Sequence, residues 1–217
     1  LLIDNILKQN ILFSDMEIII VDDFSNDITD KIMQKYENMK NILYIKNEAR
    51  SGQSKSISNG IKKSKYTNII TIDGDGQNDP SDFSILVNHY NSDQYCLVSG
   101  IRKFRKDNFV KIFSSKVANF VRSLILNDHC QDSACGLKLF SKDIFLKINF
   151  FDGMHRFLPA LFIAYGVKPV YVNINHKPRI KGISKYGTAD RLIRGLLDLH
   201  KVKKMINKIK ISNDRTS

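Results

Sequence analysis

Tryptophan is absent from this chain of 217 residues, and proline and cysteine are scarce, at four and three. The cysteines, Cys96, Cys130 and Cys135, are unevenly spaced and form no Cys-x-x-Cys pair. That spacing argues against a disulfide framework and a structural zinc site, and fits a reducing, cytoplasmic compartment. No apolar run reaches the roughly 18 residues needed to span a bilayer, and no charged start with a small-residue cleavage site marks a signal peptide. Any membrane contact is therefore expected to be peripheral. Low-complexity tracts and internal repeats are also lacking. Acidic residues are in deficit: 34 Lys and Arg stand against 22 Asp and Glu, a net charge of +12 with a pI near 9.5. The expected partner surface is anionic, whether nucleic acid, phosphorylated substrate or acidic lipid. With 42% hydrophobic residues, the chain can bury one substantial core, and one domain is expected.

The most specific feature present is the segment Ile69-Ile70-Thr71-Ile72-Asp73-Gly74-Asp75-Gly76-Gln77-Asn78-Asp79-Pro80. It is an apolar strand that ends in two carboxylates one residue apart, set in a glycine-bearing turn. Alternate residues of extended chain point the same way, so Asp73 and Asp75 can face one hard cation while the glycines permit close backbone approach. An EF-hand loop also begins Asp-x-Asp, but it needs glycine at its sixth position and glutamate at its twelfth, where this chain has Asn78 and Ser84. An aspartyl nucleophile of a phosphatase or phosphotransferase also suits the run, and stays open as an alternative. Asp79-Pro80 reads more simply as the start of a helix.

Along the chain, Leu1 to Leu12 has the apolar spacing of an amphipathic helix, and Glu17 to Val21 is a β-branched strand opening at Asp22-Asp23. Ser25-Asn26-Asp27 caps a helix reaching about Asn38; Asn41 to Lys46 is a strand, Ser54 to Ser64 a helix, and Asn68 to Asp73 a strand. This order predicts parallel strands with right-handed crossovers. Ligands of such sheets gather at the carboxyl ends of the strands, where both acidic pairs lie. Further elements are a helix over Pro80 to Tyr90, a strand over Tyr95 to Gly100, a long helix over Phe109 to Asn127 and a short strand over Gly136 to Phe140. A helix over Met154 to Tyr165, a strand over Lys168 to Ile174, a basic loop over His176 to Tyr186 and a final helix from Thr188 complete the pattern. Lys111, Ser115 and Asn119 share one face of the long helix. His155 opens its helix and is read as structural.

The motifs Val21-Asp22-Asp23-Phe24-Ser25, Asp73-Gly-Asp-Gly-Gln77, Gln131-Asp132-Ser-Ala-Cys-Gly136 and Arg179-Ile-Lys-Gly-Ile-Ser-Lys185-Tyr186 stand in the order seen in family 2 glycosyltransferases. Over residues 1 to 200 the chain resembles their dolichyl- or undecaprenyl-phosphate sugar transferase branch. The resemblance implies an α/β fold of the GT-A, Rossmann-like type, with a mostly parallel open sheet and helices on both faces. It implies an inverting, metal-dependent transfer from a nucleotide-sugar donor to a polyprenyl phosphate or other membrane-linked acceptor, in cell-surface glycan or glycolipid synthesis. On that reading Asp22, Asp23 and Asp73 hold the nucleotide, and Asp73, Asp75 and Gln77 bind Mg²⁺ or Mn²⁺. Arg102, Arg179 and Lys185 meet donor or acceptor phosphate, and Asp132 is the catalytic carboxylate beside the acceptor. A cation and positive side chains stabilise the charge that develops on a leaving diphosphate, and arginine offers a fork matched to phosphate.

The family usually opens with an apolar strand near the middle of the sheet, and this chain begins at the helix that follows, so the first strand is expected to be missing and residues 1–200 to form an N-terminally truncated catalytic domain. Residues 201–217 are expected as a basic helix or tail, with Lys201, Lys203, Lys204, Lys208 and Lys210 facing an anionic surface on the cytoplasmic side of a membrane. A nucleic-acid-binding module is the remaining rival. The chain lacks the aromatic and glycine signature of an RNA-recognition sheet, and no nucleic-acid partner is expected.

Overall fold

Alternation along two neighbouring strands decides the layering. In β4 (Leu97–Arg102) and β5 (Lys138–Ser141), Leu97 stands opposite Phe140 and Val98 opposite Leu139. Successive side chains of a strand leave on opposite faces. Leu97 and Phe140 accordingly enter one core with Phe145, Leu161, Phe162 and Val202, while Val98 and Leu139 enter another with Ile6, Phe83, Leu86 and Val172. A sheet buried on both faces needs helices on both.

The structure, a computed structural model, describes residues 2–9, 15–90, 97–103, 109–177 and 188–214. The other elements are α1 (Leu2–Lys8), β1 (Ile18–Asp22), α2 (Thr29–Met33), β2 (Ile42–Lys46), α3 (Gln53–Lys63), β3 (Asn68–Thr71) and α4 (Phe83–Asn88). After β4 come α5 (Phe109–Leu126), then, beyond β5, α6 (Lys142–Lys147), α7 (Leu158–Ala164), β6 (Pro169–Ile174) and α8 (Thr188–Asp214). Most expected elements are present within a few residues. Three expected helices begin or end as 3-10 turns instead: Pro80–Asp82 precedes α4, Met154–Arg156 precedes α7, and Gln34–Tyr36 follows α2. The short α6 was not foreseen.

The sheet departs from the expected parallel order in two ways. β1 pairs in parallel with β2, but β3 is hydrogen-bonded to neither; a separate four-stranded sheet runs β3-β5-β4-β6. Within it β4 and β6 are parallel, and β5 is antiparallel to both its neighbours. The reversal of β5 goes with a contact between residues far apart in the chain. The Asp132 carboxylate accepts from the backbone amide of Arg102, so the loop before β5 is held at the carboxyl end of β4 and re-enters the sheet from that end.

Between β1 and β3 lies a cleft of about 570 Å³, walled by Ile18, Ile19 and Val21 on one side and Ile69, Ile70 and Ile72 on the other. Gln53 and Asp73 stand among the residues that line it.

The boundary expected at residue 201 falls inside one continuous helix. Leu199, Val202 and Ile206 of α8 are buried in the same core as Leu161 and Phe162 of α7, and Arg156 pairs with Asp198 at 2.8 Å. Among the described residues no helix is long and apolar enough to cross a membrane. Deleting residues 201–217 removes Val202 and Ile206, and each buried aliphatic side chain contributes about 1.5–3 kcal/mol. Urea denaturation of the shortened chain is expected to show a loss of at least about 3 kcal/mol; an unchanged midpoint would instead mark a detachable tail.

Candidate active site

The end of β1 is shaped by its own carboxylates. Asp22 is buried, accepting from the Ser25 amide at 3.0 Å and from the Tyr44 hydroxyl at 3.0 Å. These bonds hold a tight turn in which Phe24 has φ 61°, a left-handed conformation that favours glycine. Asp23 binds the facing loop, accepting from the Ser51 amide at 2.7 Å, the Gly52 amide at 2.9 Å and Asn47 Nδ2 at 3.0 Å. Burial raises the Asp23 pKa, but the bonds from Ser51, Asn47 and Gly52 outweigh it and hold the carboxyl below the usual range. Gly52 has φ 83° and α3 starts immediately after it, so Asp23 sets the position of that helix start.

Gln53, the first residue of α3, donates from Nε2 to Asp73 Oδ1 at 2.8 Å. The two acidic strand ends are thus brought together through α3, as their shared position at strand ends implied. On its other side Asp73 packs against Gly136. A Cβ built on Gly136 would lie 2.4 Å from the Asp73 carboxylate, closer than real side chains approach, so only glycine allows the seat that Asp73 takes. Thr71 Oγ1 donates to the Gly136 carbonyl at 2.8 Å and locks the same approach. Asp75 accepts from the Gln77 amide at 3.1 Å, which curls the glycine-bearing turn.

Two carboxylates from one turn are a donor set that suits a hard ion such as Mg²⁺ or Mn²⁺, which takes one or two protein carboxylates and fills its shell with water and phosphate oxygens. Among the described residues no group of three His, Cys, Asp or Glu side chains stands at metal-holding spacing. Gln77, expected as a third ligand, turns its Nε2 toward the Lys177 carbonyl at 3.5 Å.

Asp132 and Arg102, assigned separately from sequence, form one unit. Arg102 Nε and Nη2 each lie 2.7 Å from a different oxygen of Asp132, a fork-to-carboxylate pairing, and Asp132 is only 5% exposed. The Asp132 carbonyl then accepts from the Cys135 amide at 3.2 Å, so the turn 132–136 runs directly from this pair to the glycine beneath Asp73. Asn119 of α5 holds the turn from outside: its Nδ2 donates to the Gln131 carbonyl at 2.9 Å, and Ser133 Oγ donates to its Oδ1 at 2.7 Å. Lys111 and Ser115 were placed on the same face by periodicity; only Asn119 has a described side chain.

Arg179 and Lys185 lie outside the described residues. The segment leading to them is stitched to the Asp73 turn: the Lys177 amide donates to the Gln77 carbonyl at 2.8 Å, Asn78 pairs with His176, and Lys177 Nζ meets Asp79 at 2.6 Å. Asp82, almost fully buried, accepts from the Asn175 amide and side chain, each at 2.8 Å. Asp79 also starts its 3-10 turn, as expected, by accepting from the Ser81 amide at 3.1 Å.

Three residues at the site were not singled out from sequence. Gln53 and Gly136 act through contacts made only on folding, while Lys138 carried a local signal, a lysine inside an apolar strand. Lys138 is 2% exposed and donates to the Cys135 carbonyl. His155 is structural, as read: its Nδ1 lies 2.6 Å from Ser54 Oγ. Burial first, then the charges of Lys138 and Arg156, push its pKa down to about 3.

Gly136→Ala is expected to force Asp73 from its seat and cost about 1–3 kcal/mol in urea unfolding, and Asp73→Ala in the same chain should restore most of it. A loss below about 0.5 kcal/mol would mean that the approach is not tight. For His155 the unfolded state takes up its proton first, near pH 6.5, and the folded state only near pH 3. Stability linked to this residue is therefore complete above about pH 6.5 and falls as pH drops through that interval. His155→Gln is expected to flatten the decline between about pH 6 and pH 4; an unchanged slope in denaturation measured across that range would contradict the burial.

Comparison with known proteins is consistent with this geometry. The model of glycosyl transferase family 2 matches residues 2–148. The chain is 34% identical over 190 residues to dodecaprenyl-phosphate galacturonate synthase of Rhizobium johnstonii, covering 84% of this chain and 55% of that protein. It is 28% identical over 185 residues to undecaprenyl-phosphate 4-deoxy-4-formamido-L-arabinose transferase of Pectobacterium atrosepticum, covering 84% and 56%. The chain thus spans about half the length of these curated relatives. Its backbone resembles that of glucosyl-3-phosphoglycerate synthase from Mycobacterium tuberculosis, crystallised with Mn²⁺ and uridine-diphosphate-glucose, at a TM-score of 0.62 and 14% identity over 83% of this chain and 67% of that one. That likeness bears on the fold, and supports the expected GT-A type. With two-thirds of its length matched by the family model, this chain belongs to glycosyl transferase family 2.

Proposed function

We propose that the chain carries the catalytic domain of an inverting, metal-dependent glycosyltransferase that moves a sugar from a nucleotide donor to a polyprenyl phosphate. The single observation that carries this reading is the turn 132–136, which joins the Arg102–Asp132 pair to the glycine that seats Asp73. It puts a carboxylate suited to a cation and a guanidinium suited to phosphate at two ends of one short segment. Two curated relatives whose names specify transfer to or synthesis on polyprenyl phosphates support the acceptor class.

In this reading Asp73 and Asp75 hold Mg²⁺ or Mn²⁺, which when bound neutralises charge on the donor's diphosphate. Asp22 and Asp23 shape the nucleoside end by fixing the Phe24 turn and the start of α3. An oxygen of the acceptor phosphate attacks the anomeric carbon as the bond from that carbon to the diphosphate breaks, and the electron pair leaves with the nucleoside diphosphate. A phosphate acceptor is largely ionised near neutral pH, so no proton need be removed. Asp132 then fixes the Arg102 guanidinium by occupying its Nε–Nη2 edge, and this bidentate pairing favours a positioning role over that of a general base. Arg179 and Lys185 are assigned to the diphosphate from sequence. The cleft between β1 and β3 borders Gln53 and Asp73. In the same reading the domain works at the cytoplasmic face of a membrane, with an anionic lipid surface as partner.

Thermal-shift measurements with nucleoside diphosphates and nucleotide sugars, with and without Mg²⁺ or Mn²⁺, test the donor site. A rise in melting temperature that needs both nucleotide and metal is expected, and Asp75→Asn should abolish it while leaving the metal-free melting temperature within about 2 °C. Absence of any nucleotide-dependent rise would remove the reading. In a transfer assay to polyprenyl phosphate, Asp132→Asn is expected to lower turnover by about 10²-fold or more without shifting the pH profile; a shifted profile would restore the general base.

A further inference from the structure

Three polar side chains stand in a row across β3, β5 and β4. Lys138 of β5 lies opposite Thr71 on one side and Ser99 on the other, so the three leave the sheet on the same face. The adjoining row on that face is Ile69, Phe140 and Leu97, which packs into the core. The polar row therefore marks where the core ends and the site begins.

Lys138 is the outlier among them. It is 2% exposed, and lysine is almost never buried so deeply without a paired carboxylate. Among the described residues no carboxylate stands at salt-bridge distance from its ammonium. A methionine or leucine would fill the position without the cost of taking a charge out of water, so packing does not account for a lysine here. The ammonium donates to the Cys135 carbonyl, three residues back along its own chain, and Thr71 beside it takes the next carbonyl, that of Gly136. The last two carbonyls of the turn 132–136 are thus held from the floor of the sheet, one of them by an ionised donor, which bonds about twice as strongly as a neutral one.

The contents of that turn give the bond its consequence. Asp132 at its head carries the Arg102 fork, and its carbonyl accepts from the Cys135 amide; Gly136 at its foot leaves the space that Asp73 fills. The residue that Lys138 grips is the middle of the link between the two halves of the site. We propose that Lys138 is a positioning residue, whose buried ammonium fixes Cys135 and through it both the Asp73 seat and the Arg102–Asp132 pair. The consequence for metal and phosphate rests on the glycosyltransferase reading; the hold on the turn does not.

Amide hydrogen exchange in the Lys138→Met chain tests the hold. Exchange at Cys135 is expected to speed up by about tenfold or more, while the urea midpoint stays the same or rises, because an unpaired buried charge has been replaced by an apolar chain of similar length. In the same variant the Mn²⁺ concentration that gives half of the nucleotide-dependent rise in melting temperature should increase by about tenfold. Lys138→Arg, which keeps an ionised donor, should recover most of both changes, and Ser99→Ala, which removes the neighbouring buried hydroxyl, should produce neither. Unchanged exchange at Cys135 would overturn the proposal. So would faster exchange throughout the sheet with a lower urea midpoint, or a Lys138→Met chain that does not fold, since Lys138 would then serve the core as a whole. Faster Cys135 exchange with an unchanged Mn²⁺ dependence would also sink it, because the seat of Asp73 would not depend on Lys138. Absence of any nucleotide-dependent rise in the wild-type chain would count against the donor reading and leave the exchange result standing.

Discussion

The space that a side chain at position 136 would occupy is taken by the carboxylate of Asp73. Everything at the site is arranged around that approach. Gln53 holds Asp73 from α3, Thr71 holds Gly136 from the strand, and the turn that delivers Gly136 begins at the Arg102–Asp132 pair. The same pair turns the chain back into the sheet as β5. One tight contact therefore links the direction of a strand, the placing of a carboxylate and the placing of a guanidinium, and a methyl group at 136 would disturb all three.

Two buried carboxylates at this end of the sheet are met by paired donors: Asp132 takes the Arg102 fork, and Asp82 takes the amide and the side-chain nitrogen of Asn175. Asp23, only partly buried, takes two amides and an Asn47 nitrogen. Breaking one partner of such a buried pair costs more than the pair contributes, because the other charge is stranded away from water. The acidic turns are accordingly rigid, which suits groups that must meet a substrate at fixed positions. The β1–β3 cleft beside them is the contrary case, an apolar gap where two strand edges face each other without a hydrogen-bonded ladder between them.

Basic charge and apolar surface are also spatially sorted. Lys203 of α8 donates to the Ile125 carbonyl at the end of α5, while the buried face of α8 ties the helix into the core through Val202 and Ile206. A segment that composition marks as a charged tail is, in three dimensions, a structural strut with one charged side.

Element types, the acidic strand ends and the order of the motifs were legible in the sequence, because strand and helix periodicity and the Asp-x-Asp spacing are local properties. Asp73 and Asp75 were marked that way, while Asp132 and Arg102 were marked by the resemblance to the family. What the sequence could not contain was the pairing of Arg102 with Asp132, the seat of Asp73 on Gly136, the split of the sheet and the reversal of β5. Each joins residues about 30 or more positions apart, and no local pattern encodes which distant partner a carboxylate will meet. The exposed apolar face of α5, with Phe120 and Leu124, stood between these cases: its periodicity was visible, but which side faces solvent depends on where Asn119 and Arg122 find partners, and only the folded chain supplies them.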